Sequence, residues 1–168
     1  MAQLAVLRGV FSDVVEEQVT YVNAPLFAEQ RGLEITLTSD PESPTYRNHV
    51  TLRGAMADGR QVTVSGTLYG KRQTPRLTEV AEFEVDLEAS GNLLFFTYAD
   101  RPGVVGTVGA ALGEASINIA GAQVSRTTKG GEALMAVTVD NPVSPELLAD
   151  IAGRIGAREA RAADLNPF

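Results

Sequence analysis

The chain has 168 residues, a formal net charge of −7, 44% hydrophobic and 21% charged residues, and no cysteine. That length allows one domain or two small ones, and the composition is that of a soluble globular protein. The acidic balance argues against nucleic acid and anionic membrane as main partners, and the absence of cysteine excludes a disulfide frame and thiolate chemistry. No apolar run approaches a membrane span and no signal peptide precedes the first helical pattern, so the expected location is cytoplasmic.

Leu4, Leu7, Phe11 and Val14 recur at helical spacing, with Val10 and Val15 beside them. This predicts an amphipathic helix from the start of the chain to about Glu17. It opens without a Ser, Thr, Asp or Asn start signal, as a piece cut from a longer protein would. Residues 20–22 read as a short extended link. Asn23-Ala24-Pro25 then reads as a cap and first turn of a second helix, which Gly32 ends. At Leu33, Ile35 and Leu37 the period changes to two and predicts a strand. A loop follows over 39–46, with Pro41 and Pro44. Val50, Leu52 and Met56 mark a second strand and Asp58-Gly59 a hairpin turn. Val62, Val64 and Leu68 make the return strand, with Gly66 as the place for a bulge. Gly70-Lys71 turns the chain again, and two more strands are expected over 76–80 and 83–87. Residues 1–89 thus read as an α+β domain, two helices followed by an antiparallel sheet.

Ser90-Gly91 is the expected domain boundary. Beyond it, over 90–168, the order becomes strand, helix, strand, strand, helix, strand. The strands are expected over 92–97, 117–125, 132–139 and 158–165, and the helices over 102–115 and 145–154. Ser144-Pro145 supplies a cap and first turn, and Lys129-Gly130-Gly131 a hairpin. This βαββαβ order is the ferredoxin-like plan, with both helices on one face of an antiparallel sheet. Leu93, Phe95 and alternate residues of the third strand leave apolar surface on the other face, which is expected to take a partner or a second copy.

One stretch organises the chain: Tyr98-Ala99-Asp100-Arg101-Pro102-Gly103-Val104-Val105-Gly106. A buried strand enters it and a helix leaves it, with Pro102 suited to the first helical turn. Gly103 permits close approach to the backbone. Free N–H groups at a helix start can take a carboxylate, and Asp100 can take an ammonium, which together suit an amino acid. The same Asp100 also suits a plain helix cap. Elsewhere the residues suggest little chemistry. His49 is the only histidine and lacks a nucleophile motif around it. Asp40, Glu42 and Asp58 lie in turns, and Lys71, Arg72 and Arg76 fit either a phosphate or a solvated turn. No metal-ligand spacing, GxGxxG or Walker loop is present, so no catalytic, metal or cofactor residue is assigned.

The residues Asp100 to Gly106, followed by Ser116-Ile117-Asn118-Ile119-Ala120, resemble the ACT regulatory domain. Upstream, Leu7-Arg8-Gly9-Val10-Phe11-Ser12, Tyr21-Val22-Asn23-Ala24-Pro25, Ser43-Pro44 and Val64-Ser65-Gly66-Thr67-Leu68-Tyr69-Gly70 are similar to the intervening, or allosteric substrate-binding, domain of long-form D-3-phosphoglycerate dehydrogenases. That resemblance implies the regulatory part of an enzyme of serine synthesis, with an incomplete intervening domain followed by the ACT domain. It implies catalytic domains and the NAD site upstream, and a homo-oligomer formed through the ACT domains. L-Serine would bind between paired ACT domains, with Tyr98, Asp100 and Asn118 at the matching positions and the backbone of Gly103 and Val104 nearby. Some family members also hold an anion in the intervening domain. Arg76 falls at one such basic position and is the anion-binding candidate that carries over, while Glu88 and Thr138 stand where other basic residues are expected. Two alternatives are the regulatory part of an iron–sulfur L-serine dehydratase and a free-standing ACT amino-acid sensor.

Overall fold

The computed structural model describes residues 2–12, 14–33, 36–38, 46, 48–55, 59 and 61–165. The chain divides into two compact units, residues 1–42 and 43–168. The first contains α1 (Ala2–Ser12) and α2 (Ala24–Gln30). Leu7, Phe11, Val19, Ala24 and Ala28 form its core, and the Phe11 and Phe27 rings lie 6.1 Å apart. α1 stops at Ser12, short of Glu17, and the N–H groups of Val14 and Val15 both close onto the Phe11 carbonyl. The β-branched pair Val14-Val15 is a poor continuation of a helix. Residues 20–23 form a hydrogen-bonded turn where an extended link was expected, with the Ala24 N–H donating to the Thr20 carbonyl at 3.0 Å. Asn23 precedes α2 without capping it. Its Oδ1 accepts from the Thr20 N–H at 2.7 Å, and its Nδ2 donates to the Gln18 carbonyl.

Gly32 ends α2 at φ +64°, and the Leu33 N–H turns back to the Ala28 carbonyl at 2.9 Å. That closure spends the backbone on finishing the helix. Leu33 and residues 36–38 are accordingly not in a strand, while Ile35 lies outside the described residues, as do residues 39–45, Met56 and Asp58.

In the second unit, β1 (His49–Ala55), β2 (Gln61–Tyr69), β3 (Thr74–Val80) and β4 (Phe83–Glu88) form an antiparallel meander in that order. The bulge falls between Ser65 and Gly66. A Cβ on Gly66 would stand 2.9 Å from the Arg76 carbonyl oxygen, so the close approach of β3 requires glycine there. Beside it, fully buried Ser65 donates to Glu79 Oε2 at 2.7 Å and pairs with the Thr51 hydroxyl at 3.0 Å. A polar rung thus crosses three strands with every member satisfied.

The second sheet contains β5 (Asn92–Ala99), β6 (Ile119–Arg126), β7 (Glu132–Val139) and β8 (Glu159–Asp164) in the order β6-β7-β5-β8, all antiparallel. With α3 (Val104–Glu114) and α4 (Pro145–Ile155), this is the expected ferredoxin-like βαββαβ arrangement. Side chains alternate across β5. Leu94, Phe96 and Tyr98 meet Val108, Leu112, Ile151 and Ile155 on the helix side. On the other side, Phe95, Leu134 and Ala136 meet Phe83, Val85 and Leu87 of β4. The face expected to await a partner is therefore covered from within the chain. Leu93 on that face is fully buried. Two further bonds pin β4: the Asp86 N–H donates to Gln123 Oε1 at 2.9 Å, and the Ser125 hydroxyl donates to the Glu84 carbonyl. Among the described residues, no helix is long and apolar enough to cross a membrane.

Candidate functional site

Each residue of the Asp100–Gly103 turn has a separate structural task. The Asp100 N–H donates to the Gly131 carbonyl at 2.8 Å, tying the end of β5 to the β6–β7 hairpin. The Arg101 guanidinium reaches the Ile155 carbonyl at 2.7 Å and closes the C-terminus of α4. Pro102 belongs to the turn rather than to the helix, because α3 begins at Val104 with Gly103 as its N-cap. Gly103 has φ +92°, a left-handed value that excludes most side chains, and a Cβ there would meet nothing within 4 Å. Two consequences follow. The first N–H groups of α3 have no capping side chain, in contrast to α4, where Ser144 Oγ accepts from the Leu147 N–H at 3.2 Å. The space beside the glycine is open.

The Asp100 side chain, three residues before this glycine, is 20% exposed. Its Oδ2 accepts from the Gly130 N–H at 3.2 Å and from Arg126 Nη1 at 3.3 Å. The Gly130 N–H, then the Arg126 guanidinium, hold the carboxyl below its ordinary value. The alternative of a simple cap does not apply, because the side chain bonds to the hairpin and α3 has no side-chain cap. Tyr98 is buried on β5, and burial, then the Asp100 charge, push its phenol upward. The upward shift keeps it neutral near pH 7, and its ring belongs to the core beneath α3 and α4. Val104 is buried too, so only its backbone is on offer.

Asn118 lies elsewhere. It is exposed just before β6, with Nδ2 donating to Asp140 Oδ2 at 2.8 Å and its carbonyl accepting from the Asp140 N–H at 3.2 Å. Asp140 follows the last residue of β7, whereas Gly130 and Gly131, which hold Asp100, precede its first. One strand, 8 residues long, separates the two sites, or roughly 25 Å at about 3.4 Å per residue. Within one chain the two residues do not meet. Arg76 is apart from both, its Nε 2.5 Å from Asp86 Oδ1 and its Nη2 on the Asp86 carbonyl at 3.0 Å. An acidic neighbour rather than an anion occupies that guanidinium. Sequence reading missed Arg126, Gly130 and Asp140 as neighbours of the site, because strand pairing and the hairpin bring them there and no spacing signals it. Among the described residues, no group of three or more histidine or acidic side chains is placed to hold a metal.

A ferredoxin-like βαββαβ domain whose first strand ends in a carboxylate turn and an uncapped, glycine-started helix defines the ACT class of regulatory domain. Residues 92–156 match the ACT domain family, and residues 1–81 match the D-3-phosphoglycerate dehydrogenase intervening domain. The chain belongs to the C-terminal regulatory region of the D-3-phosphoglycerate dehydrogenase family. It is 39% identical over 164 residues to a D-3-phosphoglycerate dehydrogenase of Mycobacterium tuberculosis, covering 98% of this chain and 31% of that protein. Proteins of the same name from Synechocystis (32% identity; 94% of this chain, 28% of that protein) and Methanocaldococcus jannaschii (32%; 88% and 27%) are similar as well. The chain thus spans less than a third of the length of these curated relatives.

Proposed function

We propose that this chain is the feedback-regulatory part of a cytoplasmic D-3-phosphoglycerate dehydrogenase and binds L-serine between two ACT domains of a homo-oligomer. The observation that carries this is the separation of a half-buried Asp100 and an exposed Asn118 to opposite ends of the sheet. Among the described residues, β6 is an edge strand with no further strand beside it. Ile119 and Val124 on β6 and Val105 on α3 are exposed, as a paired edge requires. An antiparallel pairing of β6 with a second copy, centred on Ala122, sets Asn118 opposite the partner's Arg126. Because Arg126 touches Asp100, that register brings Asn118 of one subunit to the Asp100 turn of the other. Serine would then place its ammonium on Asp100, its carboxylate at the N–H groups of Gly103 and Val104, and its remaining polar groups toward Asn118 of the partner subunit. A ligand bridging two subunits couples to quaternary structure.

Residues 1–89 and 90–168 are read as the intervening and ACT domains. NAD and the oxidation of 3-phosphoglycerate are assigned to the part of the parent enzyme outside this chain, which alone has no dehydrogenase activity. NAD-dependent turnover of 3-phosphoglycerate by the pure chain would refute that assignment. The intervening-domain match supports a dehydrogenase over an L-serine dehydratase or a free-standing sensor. Calorimetric titration with L-serine tests the site. The wild type is expected to bind, and Asp100→Ala to bind roughly ten- to a hundredfold more weakly with its fold intact. Equal affinity in the variant would place the ligand elsewhere.

A further inference from the structure

We infer that Arg126 is the resident counter-ion of Asp100, displaced when an amino acid ammonium arrives, and that it thereby sets the effector affinity of the site. This rests on the reading of the Asp100 turn as the serine site. The geometry separates a fixed partner from a removable one. Both contacts to the carboxylate fall on Oδ2, from the Gly130 N–H at 3.2 Å and from Arg126 Nη1 at 3.3 Å. The Gly130 donor is backbone in a hairpin that the Asp100 N–H itself ties down, so it stays. Arg126 is the last residue of β6, its side chain 58% exposed against 20% for Asp100. Across the ladder it stands opposite Ala133, whose side chain has no polar atom to hold the guanidinium. Among the described residues Asp100 is the one acid within ion-pair distance of this long, half-solvated cation, which is the mobile member of the pair.

The ligand ammonium and the guanidinium are like charges seeking one carboxylate. Oδ2 already holds the Gly130 N–H and Arg126, so the ammonium enters at Oδ1, and the repulsion between the two cations loosens the longer and weaker Arg126 contact. Binding of a zwitterionic amino acid therefore exchanges one cation for another at Asp100, and part of the gain goes into releasing Arg126. Asp100 remains ionised throughout, with the Gly130 N–H, then Arg126, holding its carboxyl down in the empty site.

The test compares the wild-type chain with Arg126→Gln, Arg126→Lys and Asp100→Ala by calorimetric titration with L-serine. Removal of the charge in R126Q is expected to tighten binding about two- to fivefold, the range for a partly exposed pair. R126K keeps the cation and is expected to bind within about twofold of wild type. In the free protein, carbon NMR is expected to show the Asp100 carboxyl titrating higher in R126Q than in wild type, which reports the ion pair itself, and in wild type the Arg126 side-chain resonances are expected to shift on serine addition as the pair opens. Unchanged or weaker serine binding by R126Q, with wild type binding and D100A impaired, would overturn this inference and leave the serine site standing. No binding by the wild type would overturn both.

Discussion

Mixing two defective variants is expected to restore wild-type serine sites that neither forms alone. In one chain, Asp100 bonds to Gly130 before β7 and Asn118 to Asp140 after it, with the 8-residue strand between them. No amino acid spans the roughly 25 Å that this implies. On the proposed reading each complete site takes Asp100 from one subunit and Asn118 from the other, and a two-fold dimer would hold two such sites. Asp100→Ala spoils both sites in its own dimer, and so does Asn118→Ala, the latter by about 0.5–1.5 kcal/mol for a bond to a neutral group. In a heterodimer of the two variants, one site carries both alanines and the other carries both native residues. Random exchange makes about half the dimers mixed, so sites of wild-type affinity return at about a quarter of the wild-type number. The assay is serine titration before and after subunit exchange, with exchange itself followed by native mass spectrometry. Exchange without any return of tight sites would refute the two-chain site. Tight binding by Asn118→Ala alone would remove Asn118 from it.

Three further outcomes follow from the geometry. Serine affinity is expected to be flat from pH 7 to about 5, because Asp100, held below its ordinary 3.8 by the Gly130 N–H and then Arg126, stays charged there. A lowered folded value means that its contribution is complete above the unfolded value and is lost as pH falls through the folded one, so loss of affinity near neutrality would contradict the assignment. Phe83→Ala, which empties a buried position between β4 and the ACT sheet, is expected to cost about 3–5 kcal/mol in urea unfolding. A cost near zero would show that β4 does not cover that sheet. Gly66→Ala forces a Cβ to 2.9 Å from the Arg76 carbonyl and is expected to destabilise by about 1–3 kcal/mol, read from a lower thermal midpoint. An unchanged midpoint would mean that the bulge relaxes freely.

The sequence by itself determined the elements wherever local periodicity and punctuation agreed. The apolar run over 92–97 marked β5, with Leu93 and Phe95 on the face away from the helices, and Ser144-Pro145 marked the start of α4. Gly32, Gly66 and Gly103 sit where a left-handed residue or a close backbone approach demands glycine. These signals act over a few residues, so they are legible without the fold. Tertiary structure decided everything that depends on which strand lies beside which. Leu33 completes α2 instead of opening a strand because its N–H is already taken by Ala28. The apolar face of Phe95 and Leu134 looked vacant in the sequence and is filled by β4. Asp100 acquires Arg126 and Gly130 only because the β6–β7 hairpin folds back with β7 beside β5. Asn118, 18 positions further along the chain, is carried to the opposite end of the same sheet, because antiparallel register rather than sequence distance sets where a strand end lies.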